Sequence, residues 1–208
     1  MSTPVERALT LAAQGRVLLG ITGPPGAGKS TLAQAIVDGA TAAGVESVLV
    51  PMDGFHLANA ELERLGRRER KGAPDTFDAA GFVALLERIR RQGPADGPVY
   101  APLFQRASEA ALAGAVPVPP TARLVVVEGN YLLHDEGVWS GVLPLLDECW
   151  YVDLDESVRV ERLIARHVAH GRSPQAAREW VMRSDEANAR LVARGRDRAT
   201  LRVAAMED

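Results

Sequence analysis

The chain has 208 residues and a formal net charge of −3, with 47% hydrophobic and 25% charged residues. These values fit one globular domain and exclude a disordered, collagenous or fibrous protein. The slight acidic excess argues against a nucleic-acid partner, which would call for a basic surplus to meet phosphates.

Cys149 is the single cysteine, so neither an intrachain disulfide nor a Cys-rich zinc site can form. The first residues lack a basic start followed by an apolar core. No apolar run approaches the roughly 20 residues that span a bilayer. The expectation is a cytoplasmic protein without membrane contact, a monomer or homodimer. Of the 24 lysines and arginines, only Lys29 and Lys71 are lysine, and both fall in segments that carry chemistry.

Thr3, Pro4 and Glu6 make a hydroxyl cap, a first-turn proline and an acidic residue three positions on, predicting a helix to Gln14 that stops at Gly15. Residues 16–22 form a short apolar run suited to a strand buried on both faces. A glycine-rich turn follows, then a helix over 29–43 and a second buried strand at 46–51. The polar stretch 57–71 suggests a short helix. Asp78 is placed to cap a helix over 79–92 with Phe82, Leu85, Leu86 and Ile89 along one side. Residues 93–120 hold many prolines and little periodicity, and read as an ordered excursion that carries function. Further strands are expected at 124–127, 149–154 and 200–204. Helices are expected over 138–146, 156–169 and 174–193, the last two joined around Gly171. Strands alternating with helices imply a parallel sheet with right-handed crossovers and helices on both faces.

The segment Gly23-Pro24-Pro25-Gly26-Ala27-Gly28-Lys29-Ser30-Thr31 matches G-x-x-x-x-G-K-[ST] between a predicted strand and a helix. Its glycines let backbone N–H groups surround a β-phosphate at a helix N-terminus. Lys29 would reach the β- and γ-phosphates of ATP, and the Ser30 hydroxyl would ligate Mg²⁺. With lysine confined to two positions, the Asn-Lys-x-Asp element that reads guanine is absent. So is the Leu-Ser-Gly-Gly-Gln signature of transporter ATPases, and the length leaves little room for a motor or ring ATPase. A small kinase remains.

Asp53 ends the second strand, on the edge of a parallel sheet that faces the ligand crevice. There it can orient a substrate hydroxyl toward the γ-phosphoryl, or it is a solvated turn residue. Glu128 ends the third central strand, where a carboxylate can hold Mg²⁺ directly or through water, or else form a structural pair. Arg162 and Arg166 share a helical face, and Arg172 follows the Gly171 turn. An arginine-rich element over about 159–180 could close on ATP as a lid and neutralise the transferring phosphoryl. His56 lies beside Asp53 and is a candidate substrate contact. His167 and His170 read as an exposed pair rather than metal ligands, for want of a third partner. Cys149 and the three tryptophans read as packing residues.

These segments together resemble the uridine kinase, pantothenate kinase and phosphoribulokinase group of P-loop kinases. The resemblance rests on Asp53-Gly54-Phe55-His56, Arg70-Lys71-Gly72-Ala73-Pro74-Asp75-Thr76-Phe77-Asp78, Pro98-Val99-Tyr100 and Glu128-Gly129-Asn130-Tyr131-Leu132-Leu133, in that order after the phosphate loop. It extends over about residues 16–203 and is strongest to bacterial proteins described as fructose-transport-system kinases or nucleoside/nucleotide kinases. It implies an α/β/α P-loop domain spanning residues 1–208, a five-stranded parallel sheet in the order 2-3-1-4-5, an acceptor-binding excursion over about 53–120 and a helical lid. It also implies Asp53 as base, Ser30 and Glu128 around Mg²⁺, and Lys71, Phe77, Asp78 and Tyr100 lining the acceptor pocket.

One departure concerns the acceptor. Uridine kinases follow the Tyr100 position with an Asp and then a His that read the nucleoside, but here Ala101, Pro102, Leu103 and Phe104 follow. Arg106 suits an anionic or hydroxyl-rich acceptor instead, or it pairs with Glu109. The expected function is phosphotransfer from ATP to a hydroxyl of a small metabolite, such as a sugar, nucleoside or pantothenate-like molecule. A nucleotide-dependent regulator that binds a protein partner is the competing reading.

Overall fold

The structure, a computed structural model, describes residues 2–206. In chain order the strands are β1 (Val17–Thr22), β2 (Ser47–Pro51), β3 (Val99–Gln105), β4 (Ala110–Val118), β5 (Leu124–Glu128), β6 (Glu148–Asp153) and β7 (Leu201–Ala204). The α-helices are α1 (Pro4–Gln14), α2 (Lys29–Ala42), α3 (Asn59–Arg64), α4 (Ala79–Arg91), α5 (Glu156–Ala169), α6 (Pro174–Trp180) and α7 (Glu186–Ala193). The main sheet is parallel in the order β2-β5-β1-β6-β7. Counting only its five members along the chain, that is the expected 2-3-1-4-5.

Every residue of β1 and β5 is buried, as expected for central strands covered on both faces. Alternation divides β1 between two cores. Val17, Leu19 and Ile21 pack with Ala8, Ala12, Leu32 and Ile36 beneath α1 and α2. Leu18 faces the opposite side, with Val125, Val127 and Cys149, under Phe82, Leu86 and Ile89 of α4 and Val192 of α7. Thr3 caps α1 in a full capping box with Glu6.

Three segments depart from the sequence-based expectation. Residues 138–146 form two 3₁₀ turns, Gly137–Gly141 and Leu143–Leu145, rather than an α-helix; Pro144 has no N–H to continue an i→i−4 ladder. The helix expected over 174–193 is interrupted by a π-helical turn, Val181–Asp185, between α6 and α7. The excursion contains an antiparallel hairpin, β3–β4, with a register irregularity between Ala101 and Leu103. Pro98, Pro102 and Pro117 hid it, yet proline is tolerated where both strands are edges and at bulges.

That hairpin lies directly on the turn after β2. A Cβ on Gly54 would stand 2.3 Å from the Pro102 carbonyl oxygen, so only glycine lets the two backbones approach this closely. Among the described residues, no helix is long and apolar enough to cross a membrane.

Candidate active site

The phosphate loop leaves the carboxyl end of β1 and enters α2 at Lys29. Gly26 (φ 81°) and Gly28 (φ 86°) adopt left-handed conformations, which L side chains resist. A Cβ on Gly26 would also lie 2.7 Å from Leu163 Cγ and 3.1 Å from the Arg159 carbonyl oxygen. Helix α5 is therefore packed against the loop. Arg159, itself buried, donates to the Pro25 carbonyl at 3.3 Å and to Glu186 of α7 at 2.5 Å. Sequence reading missed this pair, because residues 27 positions apart carry no periodic signal.

Register places the acidic groups. Ile21, Glu128 and Pro51 are aligned across β1, β5 and β2, so Glu128 and the 3₁₀ turn Met52–Phe55 that carries Asp53 emerge on one edge beside the loop. Lys29, Ser30, Asp53, Glu128, Asn130 and Arg166 line one hollow of about 180 Å³. A second hollow of about 270 Å³ runs along the loop, against Gly26, Gly28, Thr31, Arg162 and Arg166. A third, also about 270 Å³, extends away from the loop past His56, Lys71, Phe104, His167, Arg172 and Trp180. Arg106 and Arg166 border all three, which makes them one branching cleft.

The electrostatics of the centre follow from burial. Lys29 is buried, and desolvation lowers its pKa against the pull of Glu128 and Asp53; its Nζ donates to the Pro24 carbonyl at 3.0 Å. Burial pushes the Glu128 carboxyl up to about 7; Lys29 and a hydrogen bond from Ser30 oppose this, and nearby Asp53 adds to it. Arg166 is open to the cleft but crowded enough that desolvation lowers its pKa, with Arg106 acting in the same direction. His56 is sandwiched at 4.0 Å from the Phe77 ring and 4.9 Å from Phe104. Its pKa falls to about 4 through burial, with Asp53 opposing and Lys71 and Arg106 contributing. His56 is thus neutral near pH 7, with Nε2 3.9 Å from Asp53 Oδ1.

Most residues singled out from sequence meet in the cleft. Gly23, Pro24, Pro25 and Ala27 shape the loop behind it: a Cβ on Gly23 would clash with the Val152 carbonyl at 2.7 Å, and the Ala27 N–H donates to Pro24 at 3.2 Å. Phe77 reaches the central hollow. Lys71 is tied down, donating to Asn59 Oδ1 at 2.7 Å and to the Glu109 carbonyl at 3.2 Å. Three assignments need correction. Asp78 is not among the cleft-lining residues; its carboxylate accepts from the Gly81 N–H at 2.8 Å and caps α4. Tyr100 lies outside the cleft as well and is 53% exposed, because strand alternation turns it to the outer face of β3. Arg172 does not border the hollow along the phosphate loop: its guanidinium lies 4.1 Å over the Trp180 ring, in the branch remote from the loop.

Trp180 accordingly lines the cleft, where sequence suggested packing alone. His167 pairs with Asp185 at 2.9 Å, and among the described residues there is no cluster suited to a metal of the histidine type considered above. Asp185, the last residue of the π turn, and Asn188 of α7 both border the central hollow and had no sequence signal. Glu109 pairs with Arg68 at 3.2 Å and Lys71 at 3.7 Å, which leaves Arg106 to the cleft. Cys149 is buried, and burial raises its thiol pKa.

A phosphate loop at the end of the central strand, flanked by carboxylates at the ends of β5 and β2, is the architecture of a P-loop kinase. The sequence profile of the phosphoribulokinase / uridine kinase family matches residues 18–208, and the chain belongs to that family. It is 35% identical over 152 residues to the ATP-dependent kinase-like protein notR' of Aspergillus versicolor, covering 70% of this chain and 88% of that one. It is 34% identical over 204 residues to YggC of Escherichia coli, covering 96% and 82%. The crystal structure of a protein described as a putative fructose transport system kinase, from Silicibacter sp. TM1040, is 36% identical with a TM-score of 0.88 and covers 98% of this chain and 100% of that one. YFH7 of Saccharomyces cerevisiae shares the fold at a TM-score of 0.83 and 17% identity, covering 98% of each. The chain is an ATP-using kinase by family.

Proposed function

We propose that this kinase transfers the γ-phosphoryl of ATP to an alcohol on a small metabolite, with Asp53 orienting that alcohol. The observation that carries the proposal is the single hollow shared by Asp53, Lys29, Ser30, Glu128 and Arg166. ATP would lie along the loop, its phosphates met by backbone N–H groups, by Lys29 and by Ser30, with Arg162 and Thr31 bordering the same branch. Arg166 and Arg106, at the junction of the branches, are placed to meet charge on the transferring phosphoryl. The acceptor would enter from the branch walled by His56, Phe77, Phe104 and Lys71.

The residues fit a divalent cation. Glu128 is a buried carboxyl whose ionisation is disfavoured in the cation's absence and whose oxygen already meets the Ser30 hydroxyl. An oxygen-liganded Mg²⁺ held by this pair would restore its charge and neutralise the phosphates. Because the transition state of phosphoryl transfer is loose, Asp53 has mainly to align the hydroxyl.

A screen of metabolite alcohols for ADP formation tests this reading, with Asp53→Asn as the blank. The variant should bind ATP as the wild type does and lose about 10²- to 10⁴-fold in acceptor-dependent turnover. Equal turnover by the variant would refute the role of Asp53.

A further inference from the structure

The branch of the cleft remote from the phosphate loop has a charge imbalance that phosphotransfer to a neutral alcohol does not use. Five cationic side chains border it, Arg68, Lys71, Arg106, Arg166 and Arg172, against two carboxylates, Glu109 and Asp185. Both carboxylates already have side-chain partners. Glu109 takes Arg68 and Lys71, and Asp185 takes His167. Arg106 and Arg166 also border the nucleotide branch and the central hollow, where the phosphates would engage them.

Arg172 is what remains. It makes no ion pair among the described residues, and its guanidinium lies on Trp180, which Arg183 approaches on its own account at 5.4 Å. A guanidinium held over an indole face can still offer its N–H groups to a bidentate oxyanion. Arg172 is exposed where it borders the branch, directly after the turn at Gly171 (φ 93°).

We propose that the acceptor carries an oxyanion, a carboxylate or a phosphate monoester, at the end remote from its reactive alcohol, and that Arg172 on its Trp180 platform binds that group. Neutral alcohols then lack a partner for this arginine and are discriminated against, while the cationic mouth draws anionic metabolites inward. This rests on the phosphotransfer reading for the identity of the branch as the acceptor site, but its binding claim can be judged separately.

The experiment saturates the nucleotide branch with a Mg²⁺-bound non-hydrolysable ATP analogue and follows tryptophan fluorescence. The chain is titrated with matched alcohols: glycerol, glycerate and glycerol phosphate, then the corresponding neutral, acid and phosphate members of a pentose and a hexose series. At least one anionic member should bind tenfold or more tightly than its neutral counterpart, and the carboxylate and phosphate arms decide which oxyanion is recognised. Arg172→Gln should reduce that preference by about tenfold or more, with partial rescue in Arg172→Lys. Equal binding of neutral and anionic members, binding by no anionic member, or a preference unchanged in Arg172→Gln would each overturn the proposal. ADP release on the same panel separates the two readings. A neutral alcohol turned over as well as its acid removes the oxyanion claim and keeps phosphotransfer. Arg172-dependent anion binding with no ADP release from any member removes phosphotransfer alone.

Discussion

The two ends of the cleft are built on different principles. The branch along the phosphate loop is founded on one contiguous segment, a strand end, the loop residues 23–28 and a helix start, whose backbone N–H groups and glycine dihedrals dominate its shape, with Arg106 and α5 closing its side. The acceptor branch is assembled from four separate parts of the chain: the Asp53 turn, the Lys71–Phe77 segment, the hairpin and the α5–α7 helices. A local backbone cradle suits a ligand common to many enzymes. A side-chain pocket gathered from distant segments can change its ligand by changing single residues, without disturbing the cradle.

The largest test of this contrast is a pair of lysine variants. Lys29→Met removes the cation beside the phosphates and should lower kcat by about 10²- to 10³-fold whatever the acceptor. Lys71→Met, in the other branch, should chiefly raise the acceptor KM, because Lys71 braces the 106–109 turn and the Phe104 wall through Asn59 and Glu109. Steady-state kinetics with both substrates varied decide it. If Lys71→Met altered the KM for ATP as strongly as that for the acceptor, the two branches would not be separable.

One buried ion pair ties α5 and the phosphate loop to α7, and breaking it should cost stability. Arg159 and Glu186 are buried and bonded to each other, and Arg159 also holds the Pro25 carbonyl of the phosphate loop. Removing one partner strands a charge in the interior, which typically costs about 3–5 kcal/mol. For a chain of this size that lowers the Tm by roughly 6–20 °C. Arg159→Met should show that loss by calorimetry, and adding Glu186→Leu should recover much of it. A single variant that melts like the wild type would mean that the pair is dispensable.

A smaller effect is expected within the acceptor branch. The Tyr131 hydroxyl donates to the Gly72 carbonyl at 2.5 Å, fastening the Lys71–Phe77 segment to the core. Tyr131→Phe leaves that carbonyl unsatisfied, at about 1–3 kcal/mol. It should lower the Tm by a few degrees and raise the acceptor KM, with the KM for ATP unchanged.

The same contrast explains what the sequence disclosed. The phosphate loop, Asp53 and Glu128 were legible because strand ends in a parallel sheet point at a common crevice and the loop has a fixed spacing. Buried apolar runs alternating with helices implied a parallel sheet, whereas its five-stranded order came only with the family resemblance. Asp185, Asn188 and the Arg159–Glu186 pair were not legible. Their placement depends on a π turn and on packing between helices, and neither leaves a period in the sequence. Asp78 and Tyr100 were misplaced because a residue inside a matching segment need not face the cleft. The capping position of Asp78 was already enough to argue otherwise, whereas the outward turn of Tyr100 follows from a hairpin that its prolines hid.

His56 belongs to the acceptor branch and offers the most delicate test. Stacked between Phe77 and Phe104 and held neutral, it has a pKa of about 4, below its ordinary value near 6.5. Between those two values the unfolded chain binds a proton that the folded chain refuses, so folding stability rises with pH across the window. The contribution of His56 is complete above about pH 6.5 and is lost as pH falls through 4. Carboxylates elsewhere also respond to acid, so the measurable quantity is the difference between wild type and His56→Phe, which keeps the aromatic stack and cannot titrate. The Tm of the variant should fall less steeply from pH 6.5 to 4, by a few degrees over the interval. Parallel curves would show that the imidazole takes up its proton without leaving the stack, and that the wall beside Asp53 carries a positive charge in mild acid.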